Sequence, residues 1–215
     1  FYFDSIERSN IMKFLDDWEL NRPKPETVVS SFLHKFTDEE LKVIDQQSEF
    51  LFKNTEYAIV APFWEGDIWG PGGLLGWPII MQRDKEYAKE FLELKTRRIL
   101  ENLALYTQAL GDRCSVIIVQ AWDYGTQHSE LYSPQLFREM QLPYYQKINN
   151  WIHAHTRMKT FFHSDGSIFN LIPMFIEAGV DILNPVQFSA DNMDPQKLKK
   201  KFASDGGYIF ASVHN

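Results

Sequence analysis

The sequence predicts an α/β fold, a (β/α)8 barrel, on three observations. From Val116 onward, strand-like runs alternate with helix-like runs at about 30 residues per unit, the spacing of βαβ crossovers and hence of a parallel sheet. The strand-like runs, such as Val116-Ile117-Ile118-Val119, are apolar without alternation, as strands covered by helices on both faces must be. Four of them end in polar side chains, and ligands bind at the carboxyl ends of parallel strands. An open doubly wound sheet shares these features. No G-x-G-x-x-G follows a strand, however, which disfavours its dinucleotide-binding form. A full barrel takes about 250 residues and this chain has 215, so an incomplete barrel is expected.

The elements follow in order. The chain reads as one barrel domain over 1–215, with peripheral loops and first units in 1–83 and regular βα units in 84–215. Arg22-Pro23-Lys24-Pro25 is a loop. Thr37 with Glu40 forms a capping box, predicting a helix to about Lys53. Glu56 to Ala61 reads as a strand closed by Pro62. Phe63 to Trp77, rich in Trp and Gly, reads as a loop that either covers the site or packs on the barrel rim. Asp84 caps a long helix that ends before Gly111. Val116–Val119 is a strand. Ser133-Pro134, a cap followed by Pro at the first helical position, opens a helix to about His155. Lys159 to Phe162 is the next strand, and Ile168 to Ala178 a helix ended by Gly179. Val180 to Leu183 is a strand closed by Asn184-Pro185. Asp194-Pro195 opens another helix, and Tyr208-Ile209-Phe210 is a last strand. The step from Phe202 to Tyr208 is shorter than the ten to twelve or so residues a crossover needs. With an opening at Phe1 and a stop at Asn215, the expectation is a chain with pieces closed up or left off.

Composition narrows the function. Hydrophobic residues at 44% and charged residues at 24% are ordinary for a globular domain. A net charge of -7 argues against nucleic acid, which needs a basic surface. The single cysteine, Cys114, excludes an internal disulfide framework and any multi-cysteine metal site. No run is long and apolar enough to span a membrane. Aromatics at 15% suit both a core and the walls of a pocket for a large flat ligand.

The polar strand ends are Asp123 with Tyr124 and Gln127, His163 with Ser164 and Asp165, Asn184 with Gln187, and His214 with Asn215. In a parallel barrel all of these lie on one face, which makes them the candidate active site. Singly, each has a plainer role. Asp123 and Asp165-Gly166 suit turns, Asn184-Pro185 is a turn dipeptide, and His163 suits a satisfied core position. His153 and His155 lie late on a helix, where cations suit the dipole. His163 and Asp165 are two apart, so they face the same way if the strand continues through them. Such a pair binds a divalent metal or serves as base and orienter. As a metal site it needs further ligands, and Asp123 and His214 are the candidates from other strands.

Several of these blocks resemble the uroporphyrinogen decarboxylase superfamily. They are Asp123-Tyr124-Gly125-Thr126-Gln127, Tyr132-Ser133-Pro134, Phe162-His163-Ser164-Asp165-Gly166-Ser167-Ile168, Leu171-Ile172-Pro173, Glu177 to Gln187, and Gly206 to Phe210 followed by His214-Asn215. The resemblance runs from about Ser115 to the end and is closest to the methyltransferase-like branch. It implies a (β/α)8 barrel, a cytoplasmic enzyme and a pocket at the strand ends. It implies either of two chemistries. Corrinoid (cobalamin)-dependent methyltransferases move a methyl group between a corrinoid protein and an acceptor. Uroporphyrinogen decarboxylases, lyases of porphyrin and heme metabolism, act on a tetrapyrrole without a cofactor. A third possibility is a non-catalytic barrel that binds a corrinoid or tetrapyrrole. In the zinc-dependent methyltransferases a His-x-Cys pair stands at this strand end. Here His163 matches the histidine, while Asp165 replaces the cysteine and no cysteine follows. The resemblance implies a metal on the histidine, and zinc or another divalent metal on His163 and Asp165 is the expectation, with the strand-end residues Asp123, His163, Asp165 and His214 as the candidate catalytic groups. Tyr124, Gln127, Ser164, Asn184 and Gln187 would then bind substrate. The decarboxylase pattern lacks its arginine-rich amino-terminal motif here. The resemblance also implies a further strand and helix between Phe202 and Ala203.

Overall fold

Five strands make one parallel sheet: β1 (Val60–Pro62), β2 (Val116–Gln120), β3 (Lys159–His163), β4 (Ile182–Asn184) and β5 (Ile209–Phe210). The structure is a computed structural model that describes residues 8–202 and 209–210. The strands lie in chain order, β1-β2-β3-β4-β5. Right-handed crossovers between strands that always step the same way put every helix on the same side of the sheet. A doubly wound sheet reverses its order at a switch point, and this sheet does not. The arrangement is therefore an arc of the barrel kind. It agrees with the expectation of an incomplete barrel: among the described residues β1 and β5 do not pair, and the arc stays open. The expected break between Phe202 and Ala203 lies outside the described residues.

Nine α-helices are described: α1 (Arg8–Asn21), α2 (Pro25–Phe32), α3 (Asp38–Asn54), α4 (Gly73–Arg83), α5 (Lys85–Leu110), α6 (Pro134–Met140), α7 (Leu142–His155), α8 (Ile172–Glu177) and α9 (Pro195–Phe202). Their starts follow local chemistry. The Thr37 side chain accepts from Glu40 N–H while the Glu40 carboxylate accepts from Thr37 N–H. Asp84, Ser133 and Asp194 accept from Tyr87, Leu136 and Lys197 N–H respectively. Buried apolar side chains from Trp18 to Phe202 form one contiguous core.

Several elements differ from expectation, first the opening segment, read as loops, which carries α1 and α2, the latter starting at Pro25 in the first turn where proline is tolerated. β1 is only its last residues, because Tyr57 stands out in solvent and pairing begins at Val60. The Trp- and Gly-rich segment is not all loop, since α4 runs through Gly76 and Pro78. Gly76 is there because Phe14 leaves no room: a Cβ would sit 2.9 Å from its ring. The helix expected from Ser133 to His155 breaks at Gln141, where Pro143 can be accommodated only in the first turn of a new helix. α8 starts at Ile172 rather than Ile168, because Ile168 to Leu171 form turns instead.

At the amino-terminal end of the sheet Asp181 is a junction. It accepts from Thr160 N–H at 2.9 Å, His153 Nε2 at 2.7 Å and Lys159 Nζ at 3.1 Å. Burial opposes its charge, but these donors outweigh burial and hold its carboxyl below the ordinary range. A depressed carboxylate contributes stability above its unfolded value of about 3.9, and that stability is lost as pH falls through the folded value. Asp181→Asn is expected to destabilise the fold by about 1–2 kcal/mol at pH 7, after allowance for solvent screening. Urea unfolding at pH 7 and at pH 3 checks this, since the difference between variant and parent should shrink at the lower pH.

Candidate active site

β2 and β3 end side by side, and their loops are sewn together by backbone donors. Tyr124 N–H donates to Ser164 Oγ at 2.9 Å, Asp165 N–H to Asp123 Oδ1 at 2.8 Å, and Ser167 N–H to the Thr126 carbonyl at 2.8 Å. The third loop joins through Gly166 N–H, which donates to Gln187 Oε1 at 2.7 Å. Two glycines allow this closeness. A Cβ on Gly166, which has φ +89°, would lie 2.4 Å from the carbonyl carbon of Gly125. One on Gly125 would lie 2.8 Å from Ser167 N.

The loops bring Asp123, His163 and Asp165 together, each offering one ligand atom and all three atoms within 4.8 Å of one another. His163 Nε2 stands 3.6 Å from Asp123 Oδ1 and 3.7 Å from Asp165 Oδ2. On the other side of the ring, His163 Nδ1 meets Asn184 Oδ1 at 3.2 Å across the β3–β4 register. An amide oxygen there requires the proton on Nδ1, so Nε2 is the nitrogen turned to the carboxylates. All three side chains are partly open to solvent. Burial raises the carboxyl of Asp123, and the charge of Asp165 adds to the effect. The Asp165 N–H and His163 oppose it, and the net is a value above the ordinary carboxylate range.

The other expected site residues take different places. Tyr124 does not line the site. Its ring is wholly buried, with its hydroxyl 2.8 Å from Gln141 Oε1 and 2.7 Å from the hydroxyl of Tyr145. The Ser164 hydroxyl is likewise buried between Tyr124 N–H and the Asp165 carbonyl, which makes it a loop tie rather than a substrate contact. Gln127 and Gln187 bind each other, Nε2 of Gln187 donating to Oε1 of Gln127 at 3.1 Å, and so bridge the loops after β2 and β4. Asn184 orients His163. His214 and Asn215 lie outside the described residues.

The segment from Phe63 to Trp77 packs rather than covers. Trp69 and Trp77 are buried, and only Trp64 among its tryptophans is exposed. His153 and His155 stay away from the site. The first is bound to Asp181, and the second stacks on Trp151 with ring centroids 4.3 Å apart. Sequence reasoning missed the facing glycines Gly125 and Gly166, although the Gly in each strand-end block was a usable sign of close backbone approach.

No protein-family model matches the chain, and no curated protein matches it. Among solved structures it is similar to a methyltransferase from Methanosarcina mazei. The TM-score is 0.47 and the identity 16%, over 68% of this chain and 40% of that one. The chain thus spans less than half of the methyltransferase's length. Among the described residues no helix is long and apolar enough to cross a membrane.

Proposed function

We propose that this chain belongs to an enzyme of methyl transfer. Its site is a divalent metal centre formed by Asp123, His163 and Asp165, and a corrinoid protein is the methyl-carrying partner. The observation that carries the proposal is the meeting of one imidazole and two carboxylates from two adjacent strand ends. The donor set fits a divalent ion. Metal–ligand bonds of about 2.0–2.2 Å put neighbouring ligand atoms roughly 3–3.5 Å apart, and two of the edges here are 3.6 and 3.7 Å. Asn184 supplies the outer-shell contact that metal-binding histidines ordinarily have.

When bound, such an ion supplies Lewis acidity that lowers the pKa of a coordinated acceptor group. The chain's own residues do the rest. Asn184 fixes the His163 ring so that Nε2 faces inward, and the Asp165 N–H fixes Asp123. The Gln127–Gln187 bridge holds the neighbouring loops above them. With two oxygens and one nitrogen and no sulfur, the centre differs from a thiolate site and suits harder ions as well as zinc.

Metal analysis after loading with Zn2+, Mn2+ or Co2+ tests the centre. Near-stoichiometric uptake is expected, falling at least about tenfold in His163→Ala. Uptake should also weaken as pH drops through the raised carboxyl of Asp123, because a ligand must be deprotonated. A wild-type chain that takes up none of these metals would overturn the centre. Methyl transfer from a methylated corrinoid is the activity to assay, and release of coproporphyrinogen from uroporphyrinogen in its place would turn the assignment to decarboxylation.

A further inference from the structure

Lys95 is nearly fully buried in the middle of α5, although charged side chains are rarely so placed unless paired. Its Nζ donates to the Trp69 carbonyl at 2.7 Å and lies 3.4 Å from Asp67 Oδ1. The same Asp67 oxygen accepts from Trp69 N–H at 2.7 Å. The backbone of Trp69 is thus gripped at both its donor and its acceptor. Its indole N–H, by contrast, is buried with no hydrogen-bond partner. No hydrogen bond of its own orients the ring, so its place rests on the held backbone and on the rings packed against it.

The ring has a consequential neighbour. Trp69 packs on Tyr124 with centroids 5.5 Å apart and on Tyr132 at 5.4 Å. Tyr124 directly follows Asp123, and its N–H is one of the ties to the β3 loop. The chain of contact runs from α5 through the segment after β1 to the β2 loop that carries Asp123.

We propose that the pair formed by buried Lys95 and half-buried Asp67 is a positioning device for Asp123. Stability alone accounts poorly for the pair. Desolvation works against the ammonium and lowers its pKa, and apolar groups of similar size often replace a buried ion pair with no loss of stability. Directional bonds to a backbone are what a lysine offers and a methionine does not. The inference rests on the geometry of the strand-end site and not on the reaction proposed for it.

The test is amide hydrogen exchange of Asp165, whose N–H is held by Asp123 Oδ1. It is to be measured by NMR in the parent and in the double variant Lys95→Met/Asp67→Asn, which removes both charges at once. The double variant is expected to fold, with the amides of β2 and β3 exchanging as in the parent and the Asp165 amide at least tenfold faster. Unchanged exchange at Asp165 in a folded variant would overturn the proposal. So would a double variant that does not fold, because the pair would then serve stability. An Asp165 amide that exchanges freely in the parent removes the tie and the proposal with it. Absence of metal uptake, by contrast, bears only on the proposed centre.

Discussion

Gly166→Ala is expected to cost the fold on the order of 3 kcal/mol or more and to abolish the strand-end site. Two separate penalties combine. At φ +89° the residue is in a region that L side chains rarely adopt, and the left-handed conformation alone costs roughly 1–2 kcal/mol. The methyl group would also stand 2.4 Å from the Gly125 carbonyl carbon, 2.6 Å from its oxygen and 2.7 Å from the Thr126 oxygen. All three are backbone atoms, so no side chain can swing aside, and overpacking of this kind adds about 1–3 kcal/mol. The loops must part, and with them go the Asp165–Asp123 and Gly166–Gln187 bonds. Urea unfolding and metal uptake measure the two consequences. Stability within 0.5 kcal/mol or so of the parent, the range of ordinary surface changes, would show that the two loops do not meet as described.

Asp123→Asn should move stability and function in opposite directions. An acid whose folded pKa lies above its unfolded value of about 3.9 favours folding below that value. Its contribution is lost as pH rises through the folded value. At pH 7 the ionised Asp123 therefore weighs against the fold, with burial the main cause and the charge of Asp165 the second. An amide keeps an oxygen for Asp165 N–H and removes the charge. The melting temperature is expected to rise at pH 7, while at pH 3, where the parent's carboxyl is protonated, the gain should disappear. Loss of a ligand should cut metal affinity at least about 10–100-fold, the effect of removing even an outer-shell partner. A variant less stable than the parent at pH 7 would mean that His163 and the Asp165 N–H dominate at this carboxyl.

Much of the fold was legible because its signals are local. Thr37, Asp84, Ser133 and Asp194 each announce a helix by a short polar side chain followed by a helix-forming run, and each does cap one. The misses have tertiary or overlooked causes. Gly73, Gly76 and Pro78 look like breakers, yet α4 runs through them, and Gly76 makes room there for Phe14 of α1, a tertiary contact with no local signal. Pro143 carries the break between α6 and α7, a local signal present in the sequence. The polar strand ends marked where chemistry gathers, but not which side chains face it. Asp123 and Tyr124 are neighbours in the bend after β2, where no regular period tells which side each faces. One joins the site and the other the core. The meeting of Gly125 with Gly166 depends on two segments some forty positions apart, and no local pattern encodes it.

The contact between those two glycines bears on how this site is transplanted or evolved. The loops after β2 and β3 share backbone atoms at van der Waals limits, and they exchange donors in both directions. Neither loop is an independent module. Grafting His163 and Asp165 onto another parallel sheet without residues 123–126 would strip the imidazole of one carboxylate and leave the Asp165 N–H unanswered. Moving 123–126, 163–167 and Gln187 as one block preserves the whole constellation. Natural variation should respect the same unit. Changes that accumulate freely at His128 or Phe188, which stand in solvent beyond the ties, would have to arrive in matched sets at Gly125 and Gly166.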